Sequence, residues 1–523
     1  MNVLFLPSNK QISVETKVTL LTAIKKAGLQ IEAPCGGHGS CGKCKVLVTK
    51  GNDFIYAPEE LNSLSSEERN RGFRLACRML IHEDTCVILS ESEPSVNQSI
   101  DHADILRQDN HKRKLGLALD VGTTTVEYVV IDLTNGSMLM KDQFYNPQRK
   151  YGADVIARIS ACIEDESNVK LLQQELIQEL NNRLKDKLEK LQTAPTCIRK
   201  VVLVANTTMC HIFTGHNPDK LARAPFQPDY MGGSIQPAKE LGLSLADGAT
   251  IEVLPFIGGH VGADTVGCLA TLELDKMNGY HLLVDIGTNG EMVLVGKDKL
   301  LACSTAAGPA FEGGSIAYGM CLGPGAINKV LYERNEIRLQ VEGGVRPIGI
   351  SGTGIIDTMA ALLQAGIMDS TGYLKEEFCT IDPMTGLMGY GLYLDTERGV
   401  YITRQDIRQL QLAKAAISTG IKVLLDMAGI PIQKISGIWI AGAFGTHLNL
   451  ENAVLIGLIP ATQSDRYHQV GNAALSGAIK RLKKQVTMKE LKTLAYQVMH
   501  VELADKEEFK QIFLDNIDFQ INK

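Results

Sequence analysis

One pattern occurs twice in this chain, and it leaves few folds open. "LGLALDVGTTTVEYVVIDLTNGSMLM" begins at Leu115 and "HLLVDIGTNGEMVLVGKDKLLAC" at His281, and both read as strand, Asp-x-Gly-Thr turn, strand, tight turn, strand. Asp120 and Asp285 occupy matching places. Each copy is followed by a buried strand that runs into a turn of small residues, "KVVLVANTT" from Lys200 and "GIWIAGAFG" from Gly437. The helical stretches "GGHVGADTVGCLATL" and "VGNAALSGAIKRL" form a weaker third pair. A repeat of this length and order predicts two similar α/β lobes with a cleft between them.

The residue types in the repeat suit phosphate. A glycine after each aspartate admits a tight hairpin. Exposed N–H and hydroxyl groups of Gly122, Thr123 and Thr124, and of Gly287, Thr288 and Asn289, can then hold phosphate oxygens from both sides. Asp120 and Asp285 can hold magnesium through water. In "AGAFG", bare backbone at Gly442 and Gly445 leaves room for a base and ribose. Taken singly, Asp-x-Gly-Thr is a hairpin turn. Found twice in order, each time with the later glycine turn, it reads as a nucleotide cleft.

A second signal precedes the repeat. Cys35, Cys41, Cys44 and Cys77 are spaced C-x5-C-x2-C and then 32 residues on, among glycines. Thiolates so placed can surround iron while glycine N–H groups turn toward the cluster sulfurs. The first gap is one residue longer than in plant-type ferredoxins. A structural zinc site is the alternative, but such sites usually pair two short C-x2-C knuckles, and one is present. Around the cysteines, "NVLFLPS" and "KQISVET" read as a hairpin. "TLLTAIKKAGL" reads as a short helix capped by Thr19 and closed by Gly28; "CKVLVTKG", "FRLACRMLI" and "TCVILSE" supply further strands. His38 reads as a loop residue. Cys86, Cys162, Cys197, Cys210, Cys268, Cys303, Cys321 and Cys379 read as buried thiols.

Composition narrows the partners. A chain of 523 residues, 45% hydrophobic and 21% charged, is a globular protein of two to four domains. Its net charge of -6 argues against a general nucleic-acid or anionic-membrane surface. No apolar run approaches the ~20 residues needed to span a bilayer, and "MNVLFLPSNK" lacks a secretory pattern. A cytoplasmic protein with reduced thiols follows as the expectation. The divisions expected are a ferredoxin-like domain at 1–92, a polar linker at 93–113, a first ATPase lobe at 114–280 and a second at 281–523.

The cysteine spacing resembles the adrenodoxin and putidaredoxin branch of 2Fe-2S ferredoxins, with their β-grasp fold. The repeat resembles the acetate and sugar kinase, heat-shock chaperone and actin superfamily of ATPases, whose two lobes share a ribonuclease H-like fold. There "DVGTTT" and "DIGTNGE" are phosphate loops, "IAGAFG" the adenosine loop, and the paired helical stretches the connecting helices. That resemblance implies ATP and Mg2+ as cofactors and catalytic roles for Asp120 and Asp285. For the superfamily's further catalytic carboxylate or amide it leaves Asp264, His260 and Glu291 as candidates, with packing or capping as the plainer explanation of each.

Ferredoxin and ATPase on one chain resemble the reductive activators of corrinoid proteins. "STAAGPAFEGGSIAYGM", "GISGTGIIDTMAALL", "DIRQLQLAKAAI" and "GLIP" before "VGNAAL" carry the likeness through most of the chain. One departure is a stretch between linker and first phosphate loop too short for a separate middle domain. The resemblance implies a 2Fe-2S cluster, a corrinoid protein of a methyl-transfer system as partner, and a low-potential electron donor. A homodimer is compatible with it, and neither nucleic acid nor membrane takes part. It also implies a task, returning stranded Co(II) to Co(I), which lies below a plant-type cluster at about -400 mV. Each ~100 mV of deficit costs about 2.3 kcal/mol per electron. "CSTAAGPAFEGG", with Ser304 and Thr305, is the partner-facing candidate or else a packed turn. Thr353 with Gly352 and Gly354 suits a phosphate contact or a plain helix start. Lys414 reads as a solvated lysine, and "VKLLQQELIQELNNRLKDKLEKL" as an amphipathic surface helix. Two other readings remain open, an activator of a radical dehydratase type and a small-metabolite kinase with a redox sensor.

Overall fold

In a computed structural model the chain divides into two units, Met1–Glu93 and Pro94–Lys523. The structure describes residues 1–6, 10–14, 18–29, 31, 44–51, 56–64, 68–69 and 72–88, and then 113–152, 154–382, 385–392, 399–442, 444–503 and 508–519. The linker expected at 93–113 therefore lies outside the described residues except for its last position.

In the first unit, Asn2–Leu6 and Lys10–Ser13 form the hairpin that the sequence predicts. Asn2–Leu6 also pairs in parallel with Thr85–Ile88, which Lys45–Lys50 and then Phe73–Leu75 extend into a five-stranded sheet. The helix Leu20–Lys26 starts on Thr19, whose hydroxyl accepts from the Thr22 N–H at 3.2 Å, and Gly28 closes it at φ +64°. Its buried face, Leu20, Leu21, Ala23 and Ile24, packs with Val3, Phe5, Val46 and Val87 of the sheet. Arg74 is fully buried, yet Glu60 accepts from its Nε and Nη2, each at 2.9 Å, and the Leu75 N–H donates to the same carboxylate. This paired charge fixes the strand that leads to Cys77.

The second unit contains two six-stranded sheets built on one plan. Leu115–Val121, Thr125–Asp132 and Met138–Tyr145 form an antiparallel meander, with Ile198–Ala205 parallel to the first of them and Thr250–Val253 parallel beyond it. Tyr280–Ile286, Gly290–Val295 and Leu300–Thr305 repeat the meander; Ile435–Ala441 and Tyr467–Gly471 add the parallel strands. Central strands such as Ile198–Ala205 and Gly290–Val295 are buried along nearly their whole length, as strands covered on both faces must be. The helix Ser167–Lys190 covers the first sheet with Leu172, Leu176, Leu180, Leu184 and Leu188, one leucine every fourth residue. Arg404–Ala428 covers the second; a capping box of Thr403 and Asp406 starts it and Gly429 at φ +67° ends it.

Helices from the end of the second lobe pack into the first. Tyr467–Gly471 belongs to the second sheet, but the helix that follows, Ala473–Leu482, buries Ala473, Ala474, Leu475, Ala478 and Leu482 in the first core. Leu491 and Ala495 of Met488–Gln497 join them. Ala473–Leu482 crosses the helix Ala263–Leu272 with almost no space between backbones. A Cβ on Gly477 would lie 2.3 Å from the Gly267 carbonyl oxygen, and one on Gly267 would lie 2.7 Å from that of Ala474. These are the two stretches that the sequence pairs as connecting helices.

Candidate functional site

Two of the four grouped cysteines can be placed. Cys44 precedes one strand and Cys77 follows its antiparallel neighbour, so the pairing of Lys45 with Leu75 brings both thiols to one end of the sheet. Their sulfurs are 3.3 Å apart, both are buried, and the Ala76 N–H donates to the Cys44 carbonyl at 2.9 Å. Two thiolates on one tetrahedral metal with bonds of about 2.3 Å stand about 3.7 Å apart, so this pair fits a shared ion without rebuilding the backbone. Cys35 and Cys41, and His38 between them, lie outside the described residues. Cys86, Cys321 and Cys379 are half-buried rather than buried, Cys86 because it alternates with the buried Thr85 and Val87 on the opposite face of its strand; Cys162, Cys197, Cys210, Cys268 and Cys303 are buried as expected.

The two Asp-x-Gly-Thr turns, the expected phosphate loops, face each other within the second unit. In the first, the Gly122 N–H donates to the Thr125 carbonyl at 3.0 Å, and a Cβ on Gly122 would lie 2.6 Å from that oxygen, so the turn requires glycine. In the second, the Gly287 N–H donates to the Asn289 carbonyl at 3.0 Å in a looser turn. The hydroxyls of Thr124 and Thr288, one from each loop, meet at 3.2 Å. Behind the first loop, Asn206 Nδ2 donates to Thr123 Oγ1 at 3.1 Å, Asn146 Nδ2 donates to the Gly122 carbonyl at 2.9 Å, and the fully buried Arg158 donates from Nη2 to the Thr123 carbonyl. Burial pushes the Arg158 guanidinium down to about 10. Behind the second loop, Thr288 donates to Glu312 Oε1 at 2.7 Å, and Glu312 Oε2 is buried without a partner.

Acids crowd the floor of the cleft. Strand register sets Asp120 opposite Glu127 in one hairpin and Asp285 opposite Glu291 in the other. Asp264 enters from the first turn of the helix Ala263–Leu272. Asp120, Asp264 and Asp285 are recessed, with part of their surface open, while Glu127 and Glu291 are buried. Burial raises the Asp120 carboxyl well above the usual range, with Glu127, Asp264 and Asp285 adding to it and an Asn472 hydrogen bond opposing it. Burial, then the charge of Asp285, raises Asp264 to about 7. Burial raises Asp285 to about 6, against a 3.7 Å contact from the Cys268 thiol. Glu291 is raised by burial and by Asp264 and Asp285. Concentrated negative charge of this kind is relieved by a cation. Among the described residues no three His, Cys, Asp or Glu side chains converge closely enough to hold a metal ion alone. The acids therefore suit a cation held through water and phosphate oxygens.

The glycines of "AGAFG", the expected adenosine loop, are under real constraint. Gly442 has φ +89°, and a Cβ there would lie 2.7 Å from Asp285 Oδ1; one on Gly445 would lie 2.8 Å from the Ile440 side chain. Gly352 and Gly354 have a packing reason instead, since a Cβ would come within 1.7 Å of the Phe311 carbonyl and 2.2 Å of the Ile327 carbonyl. Ser351 caps that helix, accepting from the Gly354 N–H at 3.3 Å, so the plain helix start accounts for this motif. The His260 ring packs 5.1 Å from that of Phe226, and burial lowers the His260 pKa. Ser304 is half-buried in Leu300–Thr305 and donates to Glu291 Oε1 at 3.4 Å, while Ala306, Gly314 and Ser315 of the same stretch are exposed. Lys414 is not solvated. It is fully buried, donating to the Asp518 carbonyl at 2.6 Å above the Phe519 ring, and burial lowers its pKa to about 8.

Sequence reasoning misses Glu127, Asn206, Arg158, Glu312 and Asn472. An acid at the partner position of both hairpins is a usable signal for Glu127 and Glu291; nothing local marks Arg158 or Asn472.

Comparison with known proteins covers the chain in three successive parts. A family model described as a 2Fe-2S iron-sulfur cluster binding domain matches residues 4–82, one described as the RACo middle region matches 115–277, and one described as the C-terminal domain of RACo, the ASKHA domain, matches 279–523. The middle region is thus the first lobe itself, and the expected departure from the family disappears. The chain is similar to a corrinoid activation enzyme, RamQ, of Eubacterium limosum, at 29% identity over the whole of both chains. It is similar at 24% identity, over 77% of each chain, to a [Co(II) methylated amine-specific corrinoid protein] reductase of Methanosarcina barkeri. Among solved structures, a reductive activator for corrinoid, iron-sulfur protein superposes with a TM-score of 0.72 at 28% identity, covering 100% of this chain and 99% of that one. With a ferredoxin-type domain leading both RACo regions in order, and likeness along the full length, the chain belongs to the RACo-type corrinoid reductive activators.

Proposed function

We propose that this chain is an ATP-dependent reductive activator that returns the cobalt of a corrinoid methyl-transfer protein from Co(II) to Co(I), using one electron delivered by its amino-terminal domain. The observation that carries the reading is the conjunction, in one polypeptide, of a paired-thiol end on a ferredoxin-like sheet and a two-loop cleft floored with acids.

Cys35, Cys41, Cys44 and Cys77 are the residues proposed to hold the 2Fe-2S cluster, which when bound supplies one-electron transfer. In the cleft, Gly122, Thr123, Thr124, Gly287, Thr288 and Asn289 would hold the ATP phosphates, and Gly442 and Gly445 the adenosine. Asp120 and Asp285 would hold Mg2+ through water. Asp264, with a pKa raised to about 7, suits a group that takes a proton from attacking water near neutral pH. The Thr124 and Thr288 contact at 3.2 Å must part to admit a phosphoryl group, so nucleotide occupancy separates the loops and shifts the lobes. That movement is the proposed source of the energy the electron needs, because the ATP-bound and ATP-free lobes would bind the corrinoid partner differently. Ser304, whose strand leads to the exposed Ala306, is retained as the partner-contact candidate. Electron donor, partner identity and a homodimer belong to the same proposal. No described helix is long and apolar enough to cross a membrane.

Two variants separate the halves of the reading. Asp285→Ala is expected to lower ATP turnover by at least about 100-fold, the usual worth of a positioned catalytic group, while leaving the cluster's visible absorption intact. Cys41→Ala is expected to bleach that absorption and spare ATP turnover. Wild-type turnover in Asp285→Ala, or zinc in place of iron in anaerobically purified protein, contradicts the assignment.

A further inference from the structure

We propose that Asn472 is a positioning residue of the nucleotide cleft, tying the acid pair of the first phosphate loop to the adenosine loop at the point where the chain passes between lobes. The inference rests on the reading of the cleft as a magnesium–nucleotide site.

Asp120 and Glu127 face each other across the first hairpin, where two like charges repel. Asn472 stands between them. Its Nδ2 donates to Asp120 Oδ2 and to Glu127 Oε2, both at 2.7 Å, and its Oδ1 accepts from the Leu475 N–H at 2.8 Å as the cap of Ala473–Leu482. Both amide hydrogens and the amide oxygen are thus engaged.

The residue before it reaches a different motif. Gly471 has φ +63°, and its carbonyl accepts from the Gly442 N–H at 3.1 Å. Gly442 in turn packs against Asp285, where a Cβ would lie 2.7 Å from Oδ1. Gly471 ends a strand of the second sheet, and Ala473 begins a helix of the first core. Two adjacent residues therefore touch the first acid pair, the adenosine loop and the interlobe crossing. The other connecting helix is placed the same way, its first turn bringing Asp264 toward Asp285 and Glu291. A cation drawing on Asp120 changes the charge that Asn472 faces, and the amide follows only by moving the helix cap and Gly471. Occupancy of the acids is thereby passed to the loop beneath the base.

A simple helix cap is the competing explanation, and substitution distinguishes the two. Serine caps a helix about as well as asparagine but supplies no amide, whereas alanine does neither. ATP binding to the anaerobically purified full-length chain would be measured by calorimetry with Mg2+ and with EDTA, in wild type, Asn472→Ser and Asn472→Ala, with unfolding temperatures alongside. Asn472→Ser, which keeps the cap, is expected to unfold later than Asn472→Ala, and to lose on the order of 10–100-fold of the Mg2+-dependent gain in ATP affinity, the range for charge-assisted hydrogen bonds. Asn472→Ala should lose the same gain and also unfold earlier. A wild-type Mg2+ gain in Asn472→Ser overturns the proposal, and should Asn472→Ala alone be impaired, the residue is a cap and nothing more. A wild-type chain without ATP affinity in either buffer overturns the nucleotide reading itself, and this inference with it.

Discussion

Asp264 and Asp285 sit in a fold that disfavours their charge. In an unfolded chain such carboxyls ionise near about 3.9; in the folded, nucleotide-free cleft they ionise at about 7 and about 6. Both are raised, so the folded state binds more protons than the unfolded state across that interval, and stability falls as pH rises from about 4 to about 7. Removing the acid removes the loss. Asp264→Asn is expected to stabilise the nucleotide-free protein by about 1 kcal/mol or more at pH 8, the worth of one pK unit, and to change it little at pH 4, read by urea unfolding at both values. Equal stability of variant and wild type at pH 8 contradicts the crowding. The aspartates of the repeat are legible because a glycine turn marks them; Glu127 is marked only by the recurrence of an acid opposite each aspartate, a signal that strand register turns into contact. Lys414 shows the opposite failure. Its flanks in "QLAKAAI" read as a helix, but only the chain end folding back, with the Phe519 N–H donating to the Ser370 carbonyl at 2.7 Å, makes that face an interior. Lys414→Ala should cost about 2–4 kcal/mol, from a buried cavity and an orphaned carbonyl, measured by thermal unfolding; a loss below about 0.5 kcal/mol, the range of an exposed site, would contradict its burial.

The elements that matter most are the two that look weakest. "GGHVGADTVGCLATL" and "VGNAALSGAIKRL" carry small residues where amphipathic helices carry leucine, which blurs their periodicity. The reason is contact: Gly267 and Gly477 let two backbones cross without side chains between them. Gly477→Ala would drive a methyl into the Gly267 carbonyl at 2.3 Å, and overpacking of this kind typically costs about 1–3 kcal/mol. The expected outcome is a lower unfolding temperature together with impaired ATP turnover, because the crossing joins both lobes. An unchanged temperature would mean that the helices separate freely. Strand and helix types follow from alternation, continuous apolar runs and caps such as Thr19. That Ala473–Leu482 returns to the first core does not, since the crossing is decided by which surfaces are left uncovered after both sheets form.

At the scale of the whole molecule, the order of parts is legible in the residues themselves. A cysteine module, then two copies of one nucleotide motif, is an arrangement with few uses, and likeness along the full length to corrinoid activators agrees with it. The family's middle region, 115–277, falls on the stretch that carries the first copy of the repeat, so no additional domain stands out between the linker and the first Asp-x-Gly-Thr turn. The central claim is that nucleotide chemistry in one unit makes an electron from the other usable at cobalt. Its most direct test is the Co(II) to Co(I) absorbance change of a corrinoid methyl-transfer protein, mixed anaerobically with the full-length chain and a strong reductant, with and without ATP and Mg2+. The expected result is conversion to Co(I) only when nucleotide is present, lost in both Asp285→Ala and Cys41→Ala; conversion at the same rate without ATP, or none with it for any corrinoid partner, would contradict the claim.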